Sequence, residues 1–346
     1  MTQYIFPATR PGNALPLHAK VAATASVVPA HRATNAEIIE RHHHRVNERA
    51  IEKLVGVRER RVAPHGVADS DLLADAAALC LEKAGLEPEQ LSKLIVTRFL
   101  GDRLLPPTAA LVQKKMNVTT AIQAFDITGG VHSFMEAMET AARSVDSADG
   151  PVLVVSGGVI NRLVSRTDPR LAFLFGDGAA AVLLTPSDTP RMLASYGFSN
   201  RRFINDVTAF RLRTLLSEAT YESADYAPLF DLYEMGDWHT QLDFITQAMQ
   251  VTLQNLLRDA GKSAGDIDLF LITENHDRLC RAVLQRLGIP MDKTLSLLPT
   301  LGNTMSAMLP MLLDHAIETR KVGPGATVVL LSVGEGLKGG GLLITL

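Results

Sequence analysis

The sequence predicts an α/β fold made of two similar layered halves. Helical periodicity alternates with short Val/Ile/Leu-rich runs bounded by glycine, the pattern of strands buried by helices on both faces. The chain also repeats itself at a fixed offset, which points to an internal duplication with a pseudo-two-fold axis.

"LLADAAALCLEKAGLEPEQLSKLIVTR" reads as an amphipathic helix, a turn opened by Gly85, then a buried strand ending near Thr97. "VTLQNLLRDAGKSAGDIDLFLITE" reads the same way, with Gly261 and Thr273 as its landmarks. The strands "GPVLVVSGG" and "GATVVLLSVGEG" reach Ser156 and Ser332. The three offsets, 261−85, 273−97 and 332−156, are all 176. The halves are placed at 1–188 and 189–346. A segment from Ser195 to about Thr240 has no counterpart in the first half and holds much of the aromatic content. Such a segment forms either the lid or wall of an apolar pocket or a surface excursion packed on itself.

The 346 residues carry a net charge of −3, with 47% hydrophobic and 21% charged residues. That suits a globular chain with a large core and gives no basic excess for nucleic acid or an anionic membrane surface. The N-terminus has no apolar run resembling a signal peptide, and no stretch approaches the ~20 apolar residues of a membrane span. Cys80 and Cys280 both fall in apolar helical patterns, without disulfide framework or zinc spacing. A reduced, cytoplasmic protein is the expectation.

In "AFDITGGVHSF", Ala124 to Phe134, an apolar strand enters two glycines and then a helix. "VGVRERRVA" (Val55 to Ala63), "FGDGAAAVLL" (Phe175 to Leu184) and "LGNTMSAMLPMLL" (Leu301 to Leu313) accompany it. Each motif is weak alone; in order and at matching spacing, they resemble the β-ketoacyl-acyl-carrier-protein synthase III family of the thiolase superfamily. The resemblance runs from about residue 20 to the C-terminus. It implies a thiolase-like five-layered αβαβα fold, usually dimeric. It also implies acyl transfer from coenzyme A or acyl carrier protein through a cysteine thioester, with histidine and asparagine stabilising the developing negative charge.

Carried over residue by residue, the nucleophile position is Val131, which cannot attack a thioester. The asparagine is Asn303, and the histidine position is Thr273 with His276 three residues on. Arg278 matches the arginine that faces the carrier protein, and Ala50 and Leu54 stand where relatives stack the adenine of coenzyme A. Glu335 and Lys338 bring charges into the glycine-rich turn that lines the family's active site.

Several residues admit two readings. Val131 belongs either to an inactive pocket or to one that acts without a nucleophile. The first is preferred, because covalent catalysis needs a thiolate or alkoxide. His132, made neutral by the positive helix end, is either a base or a structural histidine aimed away from position 131. His276 pairs with Asp277 as a displaced acid–base couple or caps the helix that follows, and Glu274 is the other polar group surviving there. Asn303 is an oxyanion donor or a turn former. Gly176 and Gly178 are read as allowing tight backbone passage between the halves, with Asp177 bonded to backbone. His42, His43 and His44 fan over a helix, make a poor metal site and read as solvated, as do Lys114 and Lys115.

Two functions stand. One is a non-catalytic or pocket-shaping subunit, a pseudoenzyme, paired with an active synthase-like partner in fatty-acid-type or secondary-metabolite biosynthesis such as a polyketide. The other is a stand-alone acyltransferase with His132 or His276 as base and Asn303 as oxyanion donor. Both take acyl-CoA or acyl-carrier-protein thioesters as substrate. Neither calls for a metal or a resident cofactor.

Overall fold

The computed structural model describes residues 16–103, 105–166, 168–199, 208–212, 230–235, 238–334 and 338–346. The chain first runs β1 (Ala19–Val27), β2 (Arg32–Thr34), α1 (Asn35–His42), α2 (Glu48–Val55), β3 (Glu59–Arg61), α3 (Asp69–Ala84), β4 (Lys93–Arg98), α4 (Thr108–Lys115), β5 (Gln123–Thr128), α5 (Ser133–Asp146), β6 (Val152–Gly158), α6 (Pro169–Ala172) and β7 (Gly178–Pro186). It continues through β8 (Met192–Ser199), β9 (Thr208–Leu212), β10 (Phe230–Met235), α7 (Trp238–Ala260), β11 (Leu269–Ile272), α8 (Asp277–Leu287), α9 (Leu298–Leu301), α10 (Met308–Glu318), β12 (Thr327–Gly334) and β13 (Lys338–Thr345).

One sheet has the order β1-β7-β6-β4-β5 and the other β8-β13-β12-β11. α3 covers the first sheet on β1, β6 and β7, and α7 covers the second on β8, β12 and β13. Between the sheets, α5 touches β4, β6 and β7 on one side and β13 on the other, while α10 touches β1, β7 and β11. This is the five-layered αβαβα arrangement of the thiolase fold. Phe134, Met138, Val154, Leu312 and Leu330 are fully buried in the central layer, where each side chain removed from water stabilises the fold by roughly 1.5–3 kcal/mol. Among the described residues no helix is long and apolar enough to cross a membrane.

The repeat seen in the sequence is a repeat of register. In the first sheet Lys93 pairs with Val152, and in the second Leu269 pairs with Val328, both in parallel. Each residue of the second pair is 176 beyond its counterpart in the first. The turns repeat as well: α3 and α7 end at Ala84 and Ala260, each followed by a left-handed glycine, Gly85 at φ 64° and Gly261 at φ 63°.

The aromatic segment starts later than its composition suggests. Ser195–Ser199 complete β8, and Tyr196 and Phe198, two residues apart, both turn into the outer core. The segment without a counterpart therefore begins after Ser199. Within it β9 and β10 form an antiparallel ribbon, and Phe203, Tyr221 and Tyr226 lie outside the described residues.

Candidate functional site

Asp126, near the end of β5, sets the approach to position 131. Its carboxylate accepts from the backbone N–H groups of Thr108 (2.8 Å) and Ala109 (2.7 Å), fixing the start of α4, and from Arg98 Nε (2.7 Å). The chain then turns through Gly129 and Gly130 into one 3-10 turn, Gly130–His132, that leads into α5. Val131 is 2% exposed and packs with Ile160, Val164, Leu171, Phe175 and Met305. A Cβ built on Gly334, at the end of β12, would lie 2.2 Å from Val131 Cγ2, so the chain passes there only as glycine.

Thr273 follows β11 and is bonded to the adjacent strand. Its hydroxyl lies 3.3 Å from Val333 N and 3.4 Å from Val333 O, and its backbone N–H donates to Leu331 O at 3.0 Å. Asn303 is 4% exposed between α9 and the next 3-10 turn. Its N–H donates to Leu174 O (2.8 Å) and its carbonyl accepts from Gly176 N (3.0 Å), joining it to the Phe175 stretch. Its Oδ1 accepts from Met305 N at 2.8 Å, an Asx turn that holds Met305 at φ 55°. Val131 thus touches Gly334, Thr273 is bonded to the residue before it, and Asn303 is paired beside Phe175. The fold brings these three positions together.

A small cavity of about 10 Å³, room for about one water, adjoins them, lined by Phe99, Ile160, Leu163, Thr304 and Met305, with Asp69 on its wall. Asp69 opens α3 and accepts from Val159 N (2.8 Å) and Gly101 N (3.1 Å). Burial pushes its carboxyl up to about 6, with Asp102 and Asp177 adding to the shift. No feature of the sequence around Asp69 singles it out, because its partners lie 32 and 90 residues away.

The two histidines lie elsewhere. His132 is 5% exposed and lines a separate cleft of about 290 Å³ with Tyr196, Phe198, Glu136 and Lys338. Its Nδ1 is buried without a hydrogen-bond partner among the described residues. Its pKa falls to about 3, first because it is buried and then because Lys338 is near, rather than through the helix end. Lys338 pairs with Glu136 at 3.0 Å. His276 is the N-cap of α8, its Nδ1 accepting from Leu279 N at 3.3 Å. Glu274, 3% exposed, accepts from Leu297 N (3.1 Å) and Leu298 N (3.2 Å) at the start of α9. Burial pushes its carboxyl up to about 7 against those bonds.

Arg278 is exposed in the first turn of α8, and Ala50 and Leu54 are exposed on α2. Cys280 Sγ donates to Thr273 O at 3.8 Å, but burial raises its pKa far above that of a free thiol; Cys80 is pushed up to about 12. Gly176 does allow close passage, since a Cβ there would lie 1.7 Å from Leu301 O. Asp177 bonds to backbone as its motif suggests, accepting from Ala63 N and Asn161 N, both at 2.8 Å. Among the described residues no three His, Cys, Asp or Glu side chains gather as a metal site. Lys114 and Lys115 are exposed as expected, and Lys115 pairs with Asp71. Glu335 lies outside the described residues.

The profile of 3-oxoacyl-[acyl-carrier-protein (ACP)] synthase III matches residues 125–200, and that of its C-terminal region matches residues 257–346. The β-ketoacyl-[acyl-carrier-protein] synthase III of Thermosynechococcus vestitus is 32% identical over 297 residues, 85% of this chain and 88% of the relative. The chain belongs to the β-ketoacyl-acyl-carrier-protein synthase III family. The synthase III of Neisseria meningitidis serogroup A is 27% identical over 328 residues, 94% of this chain and 99% of the relative. The crystal structure of the Aquifex aeolicus synthase III superposes with a TM-score of 0.83 at 24% identity, covering 95% of this chain and all of that one. Synthase III membership covers both sheets, and the site lies where the two matched regions meet: Val131 and Phe175 in one, Thr273, Asn303 and Gly334 in the other.

Proposed function

We propose that this synthase III family member is a non-catalytic, pocket-shaping subunit of a heteromeric condensing or acyl-transferring complex. The complex would serve fatty-acid-type or secondary-metabolite biosynthesis, including polyketides. The observation that carries this reading is Val131. A hydrocarbon side chain at the start of α5, packed among Ile160, Phe175 and Met305, has no lone pair to offer a thioester. The positions of the histidines support it: His132 lines a different cleft and His276 is committed to capping α8. A stand-alone acyltransferase would need an imidazole beside Asn303, and Thr273 occupies that ground with its hydroxyl bonded to β12.

The relatives' name specifies an acyl-carrier-protein substrate. Acyl carrier protein or acyl-CoA thioesters, bound as substrates, are the ligands expected for the complex, with Arg278 on the carrier side. The partner would be a second synthase III-like chain that retains its own nucleophile.

The test uses labelled acyl-CoA and mass spectrometry of the intact protein. The chain alone is expected to form no acyl adduct and to release no product, and to gain activity when co-expressed with an active homologue that co-purifies with it. The Val131→Cys variant asks whether the surrounding pocket still accepts an acyl group. Turnover by the isolated wild-type chain would sink the proposal.

A further inference from the structure

A second cleft, on the surface formed by α1 and the β2–β3 pair, is built around positive charge. It measures about 210 Å³ and is lined by His31, Glu37, Ile38, Arg41, His42 and Arg166, among others. Two guanidinium groups and two imidazoles face one carboxylate. Glu37 accepts from Thr34 N at 2.7 Å in the capping box of α1 and lies within electrostatic reach of His31 and Arg41, so the cations still outnumber the carboxylate. Among the described residues, neither Arg41 nor Arg166 forms an ion pair.

Arg166 is held in place rather than left to solvent. Its Nη1 donates to Asn161 Oδ1 at 3.1 Å, and Asn161 is fixed in turn by Asp177, which accepts from its backbone N–H at 2.8 Å and from its Nδ2 at 3.3 Å. From the other side, His44 Nε2 donates to Arg166 O at 2.7 Å, and the His44 ring packs on Phe173 with centroids 5.0 Å apart. His42 packs edge-on to His44 at 6.4 Å. α1 stops at His42, and His43 takes a left-handed conformation at φ 53°, which turns His44 back against the fold. Of the three consecutive histidines, only His43 is exposed as the sequence suggested.

Burial disfavours a cation, and like charges converging on one cavity repel each other; Asp177, behind Asn161, offsets part of that cost for Arg166. Burial lowers the pKa of His42, and Arg166, His44 and Arg41 lower it further. A dianion would reverse both costs. Guanidinium groups bind phosphate with paired, charge-assisted hydrogen bonds, and Ile38 and Val62 offer an apolar wall for the rest of a ligand.

We propose that this cleft binds a phosphomonoester, the phosphate bridging Arg41 and Arg166 beside His42. The site is separate from the cavity at Val131, and its occupancy does not depend on acyl transfer.

The test is calorimetric titration of the whole chain with inorganic phosphate, adenosine 5′-monophosphate and adenosine, at constant ionic strength set with chloride. His42 is followed in parallel by NMR. Phosphate and the monophosphate should bind saturably and compete with each other, adenosine should not bind, and the His42 pKa should rise on binding. Arg41→Gln and His42→Gln, both on the cleft's open side, should each weaken binding about tenfold. Arg166→Lys should bind better than Arg166→Gln. Should either Arg166 variant fail to fold, the Arg41 and His42 variants decide. Equal binding of chloride and phosphate would overturn the proposal, as would wild-type affinity in both Arg41→Gln and His42→Gln.

Discussion

The backbone of Gly334 lies against the side chain of Val131, close enough that a methyl group added at Gly334 would sit 2.2 Å from Val131 Cγ2. This contact ties the end of β12 to the turn before α5. Gly334→Ala should therefore lower stability by about 1–3 kcal/mol, the usual cost of overpacking a filled core. In a Val131→Ala background the same change should cost much less, because the removed methyl groups free the space. Urea denaturation of the four proteins in the cycle checks this, and strictly additive costs would show that the two residues do not touch.

Glu274 and His132 should give stability opposite slopes with pH. The Glu274 carboxyl, raised from 4.5 to about 7, stabilises the fold below pH 4.5 and loses that contribution as pH rises to 7. His132, lowered from 6.5 to about 3, contributes fully above pH 6.5 and loses that contribution as pH falls towards 3. The Glu274 window is worth about 3 kcal/mol and the His132 window about 5 kcal/mol, and their opposite slopes nearly cancel between pH 4.5 and 6.5. Glu274→Gln should leave a stability that rises with pH in this range, and His132→Leu one that falls. Denaturant midpoints measured every half unit would reveal the slopes, and parallel profiles in the two variants would refute the assignment.

His132→Leu carries a second expectation, at pH 7. The Nδ1 atom is buried without a partner among the described residues, and replacing an unsatisfied polar group with an apolar one is neutral or stabilising. The variant should match the wild type or exceed it by about 1 kcal/mol. A loss of more than that in thermal unfolding would mean the imidazole has a partner.

Arg60 is fully buried. It donates to Ala33 O (2.8 Å) and Phe173 O (2.9 Å), and to Asn35 Oδ1 at 2.5 Å. Burial lowers its pKa to about 10, and Arg166 adds to the effect. Arg60→Ala would strand these acceptors and should cost about 3–5 kcal/mol. Arg60→Lys, which can meet only part of the fork, should fall between the two in a denaturation series.

Asn303 offers a way to separate a turn from a catalytic remnant. Asn303→Leu leaves Met305 N buried without an acceptor and should cost about 1–3 kcal/mol, while Asn303→Asp keeps the acceptor and should hold stability near wild type. Calorimetric unfolding of both variants tests the turn. A Leu variant as stable as the wild type would remove it from the account.

The layered fold was legible because duplication and burial both write regular patterns. The offset of Gly85 to Gly261 and of Thr97 to Thr273 carries over into strand register residue by residue. Convergence of Val131, Thr273 and Asn303 was legible through the family motifs. Two things were not. The helical fan assigned to His42, His43 and His44 assumed that α1 continues, whereas it ends at His42 and a single left-handed residue reverses His44. Its partner Arg166 lies 122 residues away, beyond the reach of local periodicity. The segment beginning at Ser195 was read by aromatic content, yet Tyr196 and Phe198 alternate along β8 as any half-buried strand does.

The shared register sets the two strand ends side by side for comparison. Positions 97 and 273 stand at equivalent places in the two sheets, 176 residues apart, and both are threonine. In one copy the hydroxyl grips its neighbour, Thr97 Oγ1 donating to Ser156 Oγ at 2.6 Å. In the other the hydroxyl bonds to the main chain of Val333, and Ser332 Oγ has no partner among the described residues. Equivalent threonines thus tie neighbouring strands in two ways, side chain to side chain in one sheet and side chain to main chain in the other, so the same substitution, Thr→Val, removes a different bond in each half.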